Sequence, residues 1–170
     1  MSYVRITEFT GRPQQRAAGA AWYGVDGREG SINIEHGDGA LAPPRDSGAG
    51  FVATNWTGVR VYKCGSEQKG PIVYLLKYPV PFDYLYEFDA WFQYEHMPML
   101  LEEPSWYGCE LYRALGASCF TFAALHNLEP HALKSDARNR SVDTAWWHRL
   151  KQHEWFDKQF IRILMKPLAG

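Results

Sequence analysis

Apolar and polar positions follow a regular order from residue 71 onward. The segment PIVYLLKYPV (71–80) is apolar at most positions, which is typical of a strand that is buried on both faces, and Pro79 and Pro81 end it. In YEFDAWFQYEHMPML (86–100), aromatic and apolar residues recur at intervals of three and four, which predicts a helix with one buried stripe. This region therefore begins as a strand followed by a helix.

Three later segments have the composition of strands: 105–114, 118–129 and 159–168. The first two are joined by Leu-Gly-Ala, a connection of hairpin length. Between the second and third, AWWHRLKQHEWF (145–156) predicts a helix with Asp143 or Thr144 as its N-cap. The order β-α-β-β-α-β predicts an α+β fold of the ferredoxin-like type, with a four-stranded antiparallel sheet and both helices on one face.

The first 70 residues do not fit this unit. YVRITEF (3–9) and FVATNWTGVRVYKC (51–64) have strand composition and could pair with each other, but the stretch 10–50 holds nine of the fifteen glycines and few apolar residues. That stretch predicts a long surface loop or mobile arm, or else a segment that closes over a site or a partner subunit. We therefore predict an N-terminal extension over 1–70 and a ferredoxin-like domain over 71–170.

Composition limits the class of partner. The 18 basic and 19 acidic side chains are mixed along the chain and give a formal net charge of −1, and the sequence has no strand resembling an RNA-recognition motif. Nucleic acid is therefore not expected, and a small hydrophobic molecule fits better. No apolar stretch is long enough to span a membrane. The three cysteines lack a CxxC pair, which indicates a reduced, cytoplasmic setting.

Motifs for metals and nucleotides are missing from the sequence. It contains no HExxH, no paired CxxC and no histidine–carboxylate cluster at a ligand spacing, so no metal site is predicted. It also contains no G-x-S-x-G and no glycine-rich loop between a strand and a helix. We therefore expect no cofactor.

The segment EFDAWFQYEHMPMLLEEPSWYGCELYR, followed by FTFAALHNLEPHAL and DTAWWHRL, resembles the dimeric α/β-barrel superfamily, in particular its EthD-like branch. The resemblance covers about residues 71–168 and depends on the aromatic helix with its Glu-His-x-Pro step. It implies a homodimer that joins two sheets into a barrel, because the chain shows one such unit. The superfamily includes cofactor-free isomerases, cyclases, lyases and oxygenases as well as haem enzymes, so the resemblance alone does not select an activity.

His96 is the first candidate for chemistry. Pro98 lacks an N–H and its ring crowds the preceding turn, so we expect the helix to bend near Tyr94 and to open a pocket beside His96. An imidazole in apolar surroundings stays neutral and can accept a proton. The alternative is a core histidine that is bonded to a backbone carbonyl. Glu95 points about 100° away around the helix and is either a substrate contact or a carboxylate at the solvent or dimer rim.

His126 is the second candidate, because it lies on the apolar face of its predicted strand and could converge with His96. A buried structural histidine is again the alternative. With Tyr78 as a phenol donor, the predicted catalytic residues are His96, His126 and Tyr78. The predicted substrate-binding residues are aromatic or neighbouring side chains that could form a cavity: Trp91, Phe92, Glu95, Tyr74, Phe122 and Trp146.

Together these residues predict a cofactor-independent acid/base enzyme, an isomerase, cyclase or lyase, that acts on a small aromatic or polyketide-like carbonyl or phenolic compound. His96 is the expected base, with Tyr78 or His126 polarising the oxygen. One alternative is a haem protein with His126 or His96 as axial ligand. The other is a binding or assembly module without chemistry.

Overall fold

Eight strands form one closed antiparallel barrel within the residues that the computed structural model describes, which are 1–10, 21–27, 30–38 and 51–168. The strands are β1 (Tyr3–Thr10), β2 (Ala21–Val25), β3 (Ser31–Gly37), β4 (Phe51–Gly65), β5 (Ile72–Tyr78), β6 (Trp106–Ala114), β7 (Phe122–Leu128) and β8 (Ile161–Pro167). Their order around the barrel is β1-β3-β2-β8-β5-β7-β6-β4, and β4 closes the ring by pairing with β1.

The barrel consists of two halves with the same strand order. The N-terminal half has the strand order β4-β1-β3-β2, and the C-terminal half has the order β8-β5-β7-β6. Strands β1, β2, β3 and β4 therefore correspond to β5, β6, β7 and β8. The halves meet where β2 pairs with β8 and where β4 pairs with β6. The predicted ferredoxin-like sheet of the C-terminal half is confirmed, and a second sheet of the same order comes from the same chain.

The stretch 10–50 therefore differs from the predicted loop where it is described. Residues 21–25 and 31–37 are the strands β2 and β3, while 11–20, 28–29 and 39–50 lie outside the described residues. Within the described part of this stretch, Trp22, Ile32 and Ile34 are all buried. The glycine content obscured a strand pattern that rests on only two alternating isoleucines.

The inside of the barrel is one of two apolar cores. Val4, Ile6 and Ile34 from the N-terminal strands meet Leu75 and Met165 from the C-terminal strands there. The strands of the first 65 residues thus cover the sheet face opposite the helices, which was the face assigned to a second subunit. The homodimer stays a prediction that light scattering tests against the chain mass of 19.5 kDa, but an uncovered sheet face is no longer a reason for it. The division at residue 70 likewise stays a prediction, and it falls between β4 and β5.

The helices of the C-terminal half are shorter and more interrupted than predicted. They are α1 (Leu85–Trp91), α2 (Met97–Leu100), α3 (Asp136–Ser141), α4 (Ala145–Lys151) and α5 (Glu154–Asp157). One turn of π-helix, Phe92–His96, separates α1 from α2, and short 3-10 turns occupy Phe82–Tyr84 and Pro130–Lys134. The predicted helix 145–156 is divided between α4 and α5. None of the helices in the described part of the chain is long and apolar enough to cross a membrane.

Two local predictions about the ends of elements can be compared directly. Thr144 is the N-cap of α4, because its hydroxyl accepts a hydrogen bond from the Trp147 N–H at 3.0 Å. The hairpin between β6 and β7 is longer than predicted, since β7 begins at Phe122 rather than at residue 118. The helices pack on the outer face of the C-terminal sheet and enclose the second apolar core, which contains Phe88 and Leu150.

A substitution at Ile34 tests whether β3 belongs to the barrel. Ile34 is 2% exposed and lies in the barrel interior, so Ile34→Ala should lower the free energy of unfolding by about 2–5 kcal/mol, as large-to-small changes in a core do. The matched control is Val61→Ala in β4, where the side chain is 42% exposed and the change should stay within about 0.5 kcal/mol. Denaturant unfolding measures both. An Ile34→Ala effect as small as that of the control would contradict this position of β3.

Candidate functional site

The aromatic helix is interrupted just before Pro98, where the sequence predicts a bend. In the π-helical turn Phe92–His96, the N–H of Met97 donates to the carbonyl of Phe92, five residues back instead of four. The turn contains one residue more than an α-helical turn, and α2 then begins with Pro98 in its first positions, where a missing N–H costs little. His96 ends the π-helical turn and is buried.

A cavity of about 290 Å³ lies beside this turn, between the helices and the outer face of β5, β7 and β8. Its walls are largely aromatic: Tyr74, Tyr78, Trp91, Trp106, Trp147 and Phe156. Its ionisable lining residues are His96, His126, Arg138, Lys151, Asp157 and Arg162. Five of the predicted site residues therefore come together in one cavity, namely His96, His126, Tyr78, Tyr74 and Trp91.

The hydrogen bond of His96 determines which of its nitrogens is available. Nδ1 lies 3.3 Å from the backbone oxygen of Ser141, and because a carbonyl can only accept, Nδ1 carries the proton of the neutral ring. Nε2 therefore keeps its lone pair and has no hydrogen-bond partner among the described residues. Burial lowers the pKa of His96 to about 4 against the opposing effect of the Ser141 carbonyl, and the charge of Arg138 lowers it further. The imidazole is neutral at pH 7.

His126 is in the opposite situation, because both of its nitrogens are occupied. The indole N–H of Trp106 donates to Nδ1 at 3.2 Å, so Nε2 carries the proton, and it faces the sulfur of Cys109 at 3.7 Å. Burial lowers the pKa of His126 to about 3, and the nearby His96 contributes to this. This ring is held in place more firmly than that of His96 and has no free lone pair.

Two phenols complete the polar lining. Burial raises the pKa of Tyr78 well above its usual value, and it raises that of Tyr74 as well, so both stay protonated at neutral pH. The Tyr78 ring stacks on Phe160 at 5.5 Å. Its hydroxyl makes no hydrogen bond to any other described residue. Tyr78 thus lines the cavity as a protonated phenol.

Two predicted binding residues lie next to the cavity without lining it. Phe92 is fully buried, and its ring centroid is 5.8 Å from that of His96 and 6.1 Å from that of His126, so it packs beneath both imidazoles. Glu95 accepts a hydrogen bond of 2.5 Å from the Thr144 hydroxyl. Glu95 therefore connects the π-helical turn to the first residue before α4 and has a structural position.

The two remaining predicted binding residues point elsewhere. Phe122 packs against Phe88 with centroids 5.0 Å apart and borders a second cavity of about 270 Å³, which contains neither histidine of the first cavity. Trp146 lies under the guanidinium of Arg149, at 5.5 Å. The indole that α4 contributes to the first cavity is Trp147, one residue further along the helix.

The sequence analysis missed the charged residues of the cavity. Arg138 lies in α3, a six-residue helix whose N-cap is Ser135. The segment has no apolar periodicity, so Ser135 as a capping residue is the one sequence feature that could have indicated this helix. Arg162 lies in β8 directly opposite Leu76 of β5. Alternation along β8 could have placed Arg162 on the same face as Leu164, the face that the helices cover.

Comparison with known proteins identifies the fold but no family. No family model matches the sequence, and comparison with curated proteins gives no match either. A ferredoxin-fold protein from Listeria monocytogenes related to antibiotic biosynthesis monooxygenases superposes with a TM-score of 0.67 at 11% identity, over 100% of this chain and 96% of that chain. An anthrone oxidase-like protein gives 0.66 at 9% identity, over 99% and 92%.

A haem-degrading enzyme from Listeria monocytogenes superposes with a TM-score of 0.57 at 9% identity, over 96% of this chain and 98% of that chain. At such identities the comparison shows the fold alone. The predicted ferredoxin-like fold is supported, since these proteins align over nearly the whole chain. Assignment to the EthD-like branch stays a prediction.

The lowered pKa values of the two histidines predict how stability depends on pH. In the unfolded chain each imidazole has a pKa near 6.5. Below that pH the unfolded chain binds protons that the folded state excludes. The free energy of unfolding should therefore fall as the pH drops toward the pKa values of the folded state, about 4 for His96 and about 3 for His126. Between pH 7 and pH 5 the loss should be about 2 kcal/mol for each histidine.

Urea unfolding of the wild type, His96→Asn and His126→Asn at pH 7, 6 and 5 measures this dependence. Asparagine retains a donor or acceptor near the Nδ1 position, and each variant should lose about one histidine's share of the pH dependence while the contribution of the carboxylates stays the same in all three. If both variants keep the full wild-type pH dependence, the two imidazoles are not the groups that exclude protons on folding.

Proposed function

We propose that this protein is an enzyme that removes a proton from a small aromatic carbonyl or phenolic compound without a cofactor, with His96 as the base. The observation that carries the proposal is that His96 lines an aromatic-walled cavity with its Nε2 unpartnered among the described residues, while the Ser141 carbonyl fixes the tautomer. A base must be neutral, correctly oriented and within reach of the proton it takes. His96 meets the first two requirements in the free protein.

The low pKa of His96 has a chemical consequence. An imidazole with a pKa of about 4 is a weak base toward a carbon acid, so the negative oxygen formed by the proton transfer must be stabilised where it appears. The hydroxyl of Tyr78 is a protonated donor in the same cavity. In a buried site, a donor of this kind and the new imidazolium both favour the anion more strongly than water does.

His126 has a positioning role in this proposal. Its ring is held between the Trp106 indole and the Cys109 sulfur, so it forms a rigid, neutral part of the cavity next to Phe92. A polarising role for His126, as the sequence predicts, would require its Nε2–H to leave Cys109. We therefore assign the polarising role to Tyr78.

The proposed proton abstraction is compatible with several outcomes. An isomerase, a cyclase and a lyase of the EthD-like branch would all begin with this step. The names of two structural neighbours, a relative of antibiotic biosynthesis monooxygenases and an anthrone oxidase-like protein, favour a further possibility in which the carbanion reacts with O₂. Anthrone is therefore a suitable probe compound, because it is a flat three-ring ketone with acidic C–H bonds.

Haem is the second candidate, since one structural neighbour is a haem-degrading enzyme. Both nitrogens of His126 are occupied, so His96 Nε2 is the imidazole nitrogen that the cavity offers to an iron. The cavity of about 290 Å³ is at the small end of the roughly 300–1,000 Å³ of ligand sites and suits two or three fused rings better than a tetrapyrrole. If added hemin gives a Soret band with the wild type and this band is absent with His96→Asn, haem binding becomes the preferred function over cofactor-free proton abstraction.

Exchange of the C10 protons of anthrone with D₂O, followed by proton NMR under nitrogen, tests the proposed base. The wild type should accelerate exchange without any added cofactor. His96→Asn should reduce this acceleration by about 10²–10⁴-fold, which is the usual contribution of a positioned base. Its melting temperature should stay nearly unchanged, because the asparagine amide can still donate to the Ser141 carbonyl. His126→Asn should have a milder effect on exchange.

His96→Ala distinguishes this role from a purely structural one. A structural histidine would lose about 1–3 kcal/mol of stability through the unpaired Ser141 carbonyl, with exchange reduced only in proportion to the folded fraction. Exchange at the wild-type rate per folded molecule in either His96 variant would end the proposal, and a wild type that binds anthrone without accelerating exchange would indicate a binding module. In air, uptake of one O₂ per anthrone with release of anthraquinone and water would identify the oxidative outcome.

A further inference from the structure

The cavity contains more positive charge than the structure neutralises. Arg138, Arg162 and Lys151 line it together with one carboxylate, Asp157. Lys151 pairs with Asp157 at 3.9 Å and also lies over the Trp147 ring at 4.7 Å. Within the described part of the chain, the guanidinium groups of Arg138 and Arg162 have no carboxylate within ion-pair distance.

Of the seven arginines in the described ranges, four form an ion pair, and Arg113 lacks one as the two cavity arginines do. Arg5, Arg60, Arg140 and Arg149 each form an ion pair with a glutamate. The two cavity arginines instead come from different elements, α3 and β8, and meet at one cavity. Arg162 lies over the Phe160 ring at 4.2 Å, which supports its planar head against an aromatic surface.

Both guanidinium groups act on the interior of the cavity. The charge of Arg138 affects the pKa of His96, Tyr74 and Tyr78, and the charge of Arg162 affects that of both tyrosines. Arg138 is half-buried, so its charge is only partly screened by water, whereas Arg162 is exposed and lies at the solvent side of the cavity. An anion bound between the two arginines would therefore lie close to the groups proposed for the chemistry.

We infer that the substrate is an aromatic carboxylic acid whose ring lies against the indole and phenol walls and whose carboxylate is bound by Arg138 and Arg162. The inference rests on the proposed function, because it names the substrate class for the same cavity. A carboxylate is planar and matches the fork of a guanidinium with two parallel hydrogen bonds, whereas the aromatic walls leave the ring to apolar contact. The carboxylate is present before and during the reaction, so its binding should act on KM and not on kcat.

Binding of 2-naphthoate and of 2-naphthamide, measured by calorimetry at low salt, tests the inference. The two probes have the same rings and nearly the same shape, but only the first is charged. The wild type should bind the naphthoate at least tenfold more tightly than the amide. Arg138→Gln and Arg162→Gln should each weaken naphthoate binding by about tenfold or more, as expected for losing a hydrogen bond to a charged group, and should weaken amide binding much less, because the amide carries no charge.

Arg140→Gln is the matched control, because Arg140 lies in the same short helix as Arg138 but forms an exposed ion pair with Glu102 outside the cavity. It should keep the preference for naphthoate. Arg138→Lys should retain part of the preference, since it keeps the charge and loses the fork, and thermal melting shows that each variant is folded. Equal binding of the two probes by the wild type, failure of both to bind, or an undiminished preference in both arginine variants would overturn the inference.

The experiments separate this inference from the proposed function. A preference for naphthoate that depends on the arginines, together with no acceleration of anthrone exchange, supports the carboxylate site and rejects the proposed reaction. Exchange that depends on His96, together with equal binding of the two probes, supports the reaction and rejects the substrate class. If the arginines instead stabilised the oxygen anion formed during the reaction, Arg162→Gln, which leaves the charge of Arg138 near His96 in place, would reduce the exchange of uncharged anthrone at saturation, which also contradicts the inference.

Discussion

The pairing of β4 with strands from both halves is the constraint on which the rest of the structure depends. This strand of fifteen residues pairs with β1 along its first part and with β6 along its second, so it joins the two sheets into one closed ring. Gly58 makes this possible where the Trp56 ring lies over the backbone, because a Cβ at that position would lie 2.4 Å from the ring and 2.8 Å from the Arg113 carbonyl oxygen. Trp56 then fills the barrel interior and donates its N–H to the Phe120 carbonyl at 2.9 Å.

Closure of the barrel determines where a site can form. The interior is packed with aliphatic and aromatic side chains from both halves, so the space available to a ligand lies outside the barrel, under the helices of the C-terminal half. There the π-helical turn brings His96 to the cavity, and the end of α3 supplies the carbonyl that orients it. The same short helix carries Arg138, so the orientation of His96 and the charge of the cavity both depend on how α3 packs.

Sequence reasoning succeeded where a regular pattern spans a whole element. The C-terminal strands, the N-cap at Thr144 and the face of β7 that carries His126 all followed from alternation, periodicity or capping. The bend at Pro98 was expected, but its form as a π-helical turn was not, because a missing N–H can be accommodated in several ways. Strands β2 and β3 were missed, since five- and seven-residue strands among glycines carry too few apolar positions to show a period. The meeting of Arg138 with Arg162 depends on tertiary packing alone.

The matching strand order of the two halves has a consequence for symmetry. A barrel assembled from two identical subunits must present the same outer surface twice, and any change that improves one copy of a site alters the other as well. In this chain the two sheets have separate sequences. The outer face of the N-terminal sheet carries buried Arg5, Thr7 and Asn33 beside the aromatic pair Phe9 and Trp22, whereas the corresponding face of the C-terminal sheet carries Tyr74, Leu76 and His126. Joining both halves in one polypeptide frees the two outer faces to differ in sequence, which two identical subunits cannot do.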